Sequence, residues 1–227
     1  EGTKFSLYDL VSDLPQITVV DVGALPMAGE PEIYAPLIKA GKARLIGFEP
    51  DKEGCRQLKE KYGEPHNFFP FFIGDGKRAV FHKTHAPMAG SLFAPNTPLL
   101  NQYADLGRIA KLEGTESVQT HCLDHVVDCD EIDFLKMDVQ GAELSVLKGA
   151  KRLLSTALVI QSEVEFIQLY LDQPLFADID SHLRNVGFQF HTFLGFGSKQ
   201  RVPAQTHTFK LGEVKQLLWS DAVYIPE

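Results

Sequence analysis

The chain has 227 residues, of which 44% are hydrophobic and 23% charged, and these ordinary proportions exclude wholesale disorder. Its 22 Lys and Arg against 30 Asp and Glu give a net charge of −8, so we expect no nucleic acid as the main partner. No apolar run reaches the roughly 18 residues that a bilayer span needs, so we expect no membrane partner. Three cysteines, Cys55, Cys122 and Cys129, are too few for a disulfide framework and favour a reducing, cytoplasmic compartment.

The first half of the chain alternates predicted strands and helices. Ser6 can cap a short helix that ends before Pro15, and the β-branched run at 17–22 is typical of a parallel strand buried on both faces. Hydrophobic spacing then predicts helices over 31–40, with Ile33 facing inward, and over 51–62. Strands are predicted over 43–48, 67–73 and 79–84.

The second half continues the alternation. Helices are predicted over 99–112, 142–154 and 175–186, and strands over 117–123, 132–137, 157–164, 188–194 and 221–225. Strands alternating with helices form parallel βαβ units with right-handed crossovers. We therefore expect an α/β fold, with a mostly parallel central sheet, helices on both faces and an antiparallel final strand.

One domain is predicted over 1–227. It comprises a helical lead-in over 1–16, a core over 17–194, and a loop and closing strand over 195–227. The first four residues include neither an initiator Met nor a hydrophobic signal region, so we expect a trimmed chain or a piece of a longer protein.

Acidic residues and glycines follow the first three core strands, where sheets of this kind bind ligands. Gly23, two residues after Asp21, lets the backbone approach a ligand, although a plain turn has the same sequence. Glu49 follows the second strand, and its distance from Gly23 along the chain is about that of a carboxylate that accepts ribose hydroxyls. The alternative is that Glu49 starts the next helix and complements its dipole. Asp75 lies between two glycines and could accept from an adenine amino group or belong to an ordinary turn.

Two later strands also carry carboxylates near their ends. Asp138 follows the strand over 132–137, and Glu143 could cap the loop between that strand and the next helix. Glu163 shares a strand face with Gln161 and Glu165, where polar groups are costly if buried without partners. We therefore expect Glu163 in a cleft, unless its strand emerges into solvent.

The segment IDFLKMDVQGAELSVLKGA, residues 132–150, resembles the signature of FkbM-type methyltransferases. VDVGA at 20–24 and GFEPD at 47–51 match that family's earlier motifs in order and spacing, and the likeness covers about 17–194. The resemblance implies a Rossmann-like class I methyltransferase fold that uses S-adenosylmethionine, commonly to methylate a hydroxyl of a small molecule or sugar-like acceptor. The stretch 25–31 departs from the family's usual Asn-x-Gly continuation.

The resemblance also implies roles for individual residues. Asp138 maps to the methyl-transfer end and contributes to the cofactor site, and the other cofactor positions are Asp21, Gly23, Ala24, Glu49 and Asp75. Ser91, in a predicted flap over 88–92, could reach the cofactor or only form a turn.

Transfer to a hydroxyl also requires a group that removes the proton, and Asp138, Glu163 and His191 are the candidates. A divalent cation such as Mg²⁺ on Asp138 and Glu163 is a further possibility. A lone histidine in a strand is more often structural.

Two other functions remain open from the sequence. The altered first loop favours a non-catalytic binding or assembly module that keeps the fold. A nucleotide or dinucleotide enzyme is the third hypothesis, which the absence of a G-x-G-x-x-G loop disfavours.

Overall fold

The computed structural model describes residues 15–25, 32–202 and 215–227. The predicted helix after Ser6 and most of the departing stretch 25–31 lie outside these ranges. The strands of the described residues are β1 Ile17–Val22, β2 Ala43–Phe48, β3 Asn67–Phe69, β4 Phe72–Ile73, β5 Arg78–Thr84, β6 Leu112–His121, β7 Phe134–Met137, β8 Val159–Glu165, β9 Phe188–Gln200 and β10 Lys215–Pro226. The helices there are α1 Ala35–Lys39, α2 Lys52–Tyr62, α3 Thr97–Leu100, α4 Leu106–Ile109, α5 Leu123–Val126, α6 Glu143–Lys148, α7 Lys151–Leu154 and α8 Phe176–Asn185, with a 3-10 turn at Pro87–Ala89.

Seven strands form the main sheet in the order β3-β2-β1-β7-β8-β10-β9. The first five in this order are parallel, and β10 is antiparallel to both β8 and β9. The predicted α/β fold, with its mostly parallel sheet and antiparallel final strand, is therefore confirmed.

Helices cover both faces of this sheet, as predicted. Val20 in β1 packs in a core with Val146 of α6 and Leu183 of α8. Val19, the neighbouring residue, packs in a separate core with Leu58 of α2. Because successive side chains of a strand point to opposite faces, the two cores lie on opposite sides of the sheet.

The predicted strand over 67–73 is divided in the structure. β3 ends at Phe69 and joins the main sheet, and β4 begins at Phe72 and joins a second sheet of order β4-β6-β5. Pro70 lies between the two strands and has no N–H to donate to a ladder. The chain therefore leaves the main sheet before the glycines that flank Asp75.

Several other predicted bounds are wrong. The helix predicted over 31–40 is confined to α1, and Ile33 is 52% exposed rather than inward. The helix predicted over 99–112 is two short helices, because Asp105 adopts a left-handed φ of 65° between them. The helix predicted over 142–154 divides near Gly149, which approaches the Gly74 carbonyl so closely that an added Cβ would lie 2.4 Å from it. β9 continues through 195–200, where a loop was predicted, and pairs there with β10.

None of the helices in the described ranges combines the length and apolar character that crossing a bilayer requires.

Candidate active site

A cavity of about 920 Å³ lies at the carboxyl ends of β1, β2, β7 and β8. The second sheet, the 3-10 turn and helices α3 and α4 form its other walls. The lining residues that the following paragraphs use are Gly23, Glu32, Glu49, Ser91, Lys136, Asp138, Gln140, Glu163, Glu165 and Tyr170.

Gly23 brings two strand ends together. It has a φ of +85°, and an added Cβ would lie 1.9 Å from the Asp138 carbonyl oxygen. Its N–H and that of Ala24 donate to the Phe48 carbonyl at 3.0 and 3.1 Å, which folds the loop onto β2. Ala24 is buried and is not among the lining residues. Only glycine therefore allows the β1 loop to lie against the end of β7.

Asp21 lies behind the cavity wall rather than in it. Its carboxylate is fully buried, accepts the Tyr34 hydroxyl at 2.5 Å and lies 3.3 Å from the Lys136 ammonium. Lys136 is also 3.3 Å from Glu32, which lines the cavity. Burial disfavours the Lys136 ammonium, but the carboxylates of Asp21, Asp138 and Glu32 outweigh it and raise its pKa. Sequence reasoning missed Lys136 because a lysine inside a strand gives no sign of its partners.

Glu49 lines the cavity at the end of β2, the neighbour of β1. Its Oε1 accepts the Asp51 N–H at 2.7 Å, and no donor in the described residues is within hydrogen-bond distance of Oε2. Desolvation is the largest cause of a raised pKa for this carboxyl, opposed by the Asp51 N–H and reinforced by the charges of Asp51 and Asp21. One carboxylate oxygen is thus available to a ligand.

Asp75 is not among the residues that line the cavity. Its carboxylate accepts from the Lys77 ammonium at 2.6 Å and from the Lys77 N–H at 3.1 Å, at an exposed turn. The structure does not bring Asp75 together with Glu49, because β4 has left the main sheet.

Asp138 and Glu163 are joined through Gln140. The Gln140 amide nitrogen donates to Asp138 Oδ1 at 2.8 Å and to Glu163 Oε2 at 2.7 Å. Gln140 lies in the quoted signature, but its left-handed φ of 55° and its two carboxylate partners cannot be read from the sequence. This group of three side chains forms one polar wall of an otherwise largely apolar cavity.

Buried carboxylates surround Glu163. Glu143 is 2% exposed, and its Oε1 accepts the Val139 N–H at 2.8 Å, so it holds the loop after β7 as expected for a cap. Desolvation, opposed by backbone N–H groups, raises the pKa of Glu143 from 4.5 to about 7. Desolvation also raises the pKa of Glu163 and of Glu165 well above the usual range, and the charges of neighbouring carboxylates add to it.

Ser91 and Tyr170 both form hydrogen bonds to Gln140, in the loop after β7. The Ser91 hydroxyl donates to the Gln140 carbonyl at 2.6 Å and accepts the Phe93 N–H at 2.9 Å. The Tyr170 hydroxyl lies 3.0 Å from Gln140 Oε1 and 2.9 Å from the Ala89 carbonyl. Burial raises the pKa of Tyr170, so the hydroxyl keeps its single proton, which it shares between these two acceptors. The predicted flap over 88–92 is therefore fastened to the β7 loop.

His191 and the predicted cation find no support in this geometry. His191 is exposed on β9, the edge strand, and does not line the cavity. Within 15–25, 32–202 and 215–227 no group of three or more His, Cys, Asp or Glu side chains is arranged to hold a metal ion. Between Asp138 and Glu163, an amide nitrogen stands where a cation would have to bind.

The chain is similar to several methyltransferases. It is 31% identical over 153 residues to the 2-O-methyltransferase NoeI of Sinorhizobium fredii, a match that covers 61% of each chain, so it spans less than two thirds of that relative. The N-terminal domain of EvdMO1 with SAH bound has a TM-score of 0.43 at 10% identity, covering 97% of this chain and 78% of that one. A SAM-dependent methyltransferase from Methanosarcina mazei has a TM-score of 0.40 at 10% identity, covering 98% and 99%.

Likeness to solved structures at these scores does not bear on function. The match to a family is of a different kind, because it compares the sequence itself with a family profile over most of the chain. The profile of the methyltransferase FkbM domain matches residues 21–190, which include the carboxyl ends of β1, β2, β7 and β8 at the cavity. The chain therefore belongs to the FkbM methyltransferase family, as its resemblance to that family's signature predicts.

Proposed function

We propose that this domain transfers a methyl group from S-adenosylmethionine to a hydroxyl of a small-molecule acceptor. The observation that carries the proposal is one cavity with two chemically different ends at the carboxyl ends of β1, β2, β7 and β8. One end offers the Glu49 carboxylate, and the other offers Asp138, Gln140 and Glu163. Membership of a methyltransferase family supports it.

The residues at the Glu49 end suit an adenosyl group. Within the described residues, one carboxylate oxygen of Glu49 has no donor, which suits a ribose hydroxyl. Gly23 keeps the adjacent backbone free of a side chain that would displace the end of β7. The apolar side chains of Phe48 in β2, Phe71 in the β3–β4 connection and Ile73 in β4 line the same cavity and suit a purine ring.

The other end suits proton removal from an acceptor. S-adenosylmethionine, when bound, supplies an electrophilic methyl group on a sulfonium. Glu163 is assigned here as the base, because its carboxylate lines the cavity at this end and accepts the Gln140 amide at 2.7 Å. Asp138, on the other side of the Gln140 amide, helps orient the hydroxyl.

The apolar wall beyond Tyr170 indicates the class of acceptor that the cavity suits. Beyond Tyr170 the cavity is lined by the apolar side chains Leu100, Leu106, Ile109, Leu169 and Trp219. An acceptor that carries an apolar portion beside its reacting hydroxyl would bury that portion there. Transfer to oxygen is also supported by the relative NoeI, which is described as a 2-O-methyltransferase.

Calorimetry with S-adenosylmethionine and S-adenosylhomocysteine tests the donor, and transfer of a labelled methyl group to a panel of hydroxyl acceptors tests the reaction. We expect both compounds to bind and Glu163→Gln to abolish transfer while leaving binding intact. Glu53→Gln, a change of an exposed carboxylate on α2, is the matched control. Failure of both compounds to bind would refute the proposal.

A further inference from the structure

We propose that Gln140 is a positioning residue whose side-chain amide holds Asp138 and Glu163 in a single arrangement, where a cation would otherwise be needed. An amide nitrogen has two N–H donors, so the bonds of 2.8 Å to Asp138 and 2.7 Å to Glu163 form together. The inference rests on the proposed function, in which Glu163 takes the acceptor proton.

Gln140 is itself held by two further contacts. Its Oε1 lies 3.0 Å from the Tyr170 hydroxyl, and its backbone carbonyl accepts from Ser91 at 2.6 Å. Its φ of 55° is left-handed, a conformation that a residue with a Cβ keeps only where its surroundings impose it. The loop thus maintains a strained backbone at the residue whose amide joins the two carboxylates, which argues for a functional requirement rather than a passive turn.

The amide matters because negative charge dominates around Glu163. An amide donates to carboxylates without adding charge, so it favours their ionised form while leaving Glu163 able to take up a proton. The titratable groups that face Glu163 are Asp138 at the end of β7, Glu143 on α6, Glu165 on β8, Tyr170 after β8 and Asp221, its register partner on β10. The positive charge of Lys136 interacts with Asp138.

Two substitutions distinguish the effect of the Gln140 amide from an effect on the folding of its loop. Gln140→Gly removes the amide and also relieves the left-handed backbone, because glycine adopts that conformation freely. Gln140→Glu keeps the shape and adds a negative charge. Losing the hydrogen bond should raise the pKa of Glu163, and the added charge should raise it further.

The experiment measures kcat and KM against pH, together with ¹³C-carboxyl NMR titration of glutamate-labelled protein, with the Glu163 resonance assigned by Glu163→Gln. In Gln140→Gly we expect the acidic limb of kcat to move up by about one pH unit, with the Glu163 titration moving alongside it. Gln140→Glu should move both further. Gln57→Ala, which removes an exposed amide that donates to Glu53 at 3.1 Å, should move neither.

The inference would be overturned if neither Gln140 variant shifted the acidic limb of kcat or the NMR titration of Glu163. S-adenosylhomocysteine affinity should remain within about twofold, which shows that the cofactor end is intact. If the wild-type protein transfers no methyl group, the proposed function fails, and the NMR titration alone still decides whether Gln140 controls Glu163. A variant that does not fold leaves the decision to the other variant.

Discussion

Lys136→Met tests whether the ion pairs of Lys136 with Asp21 and Glu32 stabilise the fold. The ammonium lies 3.3 Å from Asp21 and 3.3 Å from Glu32, and Asp21 is fully buried. Methionine is similar in length but uncharged, so the change removes the charge with little loss of packing. Removing one partner of a buried ion pair costs roughly 3–5 kcal/mol, because the other charge remains buried without compensation. The Tyr34 hydroxyl still donates to Asp21, so we expect about 3 kcal/mol, the lower end of that range.

Urea unfolding at pH 7, followed by far-UV circular dichroism, measures this loss. With a slope of about 2 kcal/mol per molar urea, the midpoint should fall by about 1.5 M. The double variant Asp21→Asn/Lys136→Met, which removes both charges, should recover much of the stability. Lys77→Met, at an ion pair whose lysine side chain is 80% exposed, should leave the midpoint unchanged.

An unchanged midpoint in Lys136→Met would refute the reasoning. So would a double variant as unstable as the single one, since uncompensated charge on Asp21 would then not be the cause of the loss.

Three further predictions concern the cavity. Gly23→Ala should lower the free energy of unfolding more than Gly41→Ala. Both glycines have a left-handed φ that costs alanine about 1–2 kcal/mol, but only at Gly23 does the new Cβ meet backbone atoms. Equal losses in urea unfolding would contradict the close approach at Gly23. Glu49→Gln should weaken S-adenosylhomocysteine binding by about tenfold or more in calorimetry, since a bond to a charged group is lost, and an unchanged Kd would remove Glu49 from the site. The free energy of unfolding should gain from the carboxyls around Asp138 as the pH falls from 8 to 5, because the folded chain then binds more protons than the unfolded one. For Glu143, whose pKa is raised from 4.5 to about 7, the gain is about 3 kcal/mol, and Glu163→Gln should make the pH dependence shallower than in the wild type; an identical slope would show that Glu163 titrates normally.

The hydrophobic pattern predicted two central strands of the main sheet with their bounds. β1 and β2 match their predicted ranges, because a short, largely apolar run buried on both faces has few other solutions. The short helices were predicted less well, since Asp105 and Gly149 interrupt them for reasons of backbone conformation and distant contact that no local pattern contains.

The sequence by itself determined the family and the strand ends at which polar residues gather. Its spacing places Glu49, Asp138 and Glu163 at the carboxyl ends of neighbouring strands, because parallel strands end at the same edge of a sheet. Only the tertiary structure decided that Asp75 and His191 lie outside the cavity, that Lys136 neutralises Asp21, and that Gln140 joins two carboxylates. These outcomes depend on which strands become neighbours and on side-chain distances between residues far apart in the chain, and local sequence patterns carry neither.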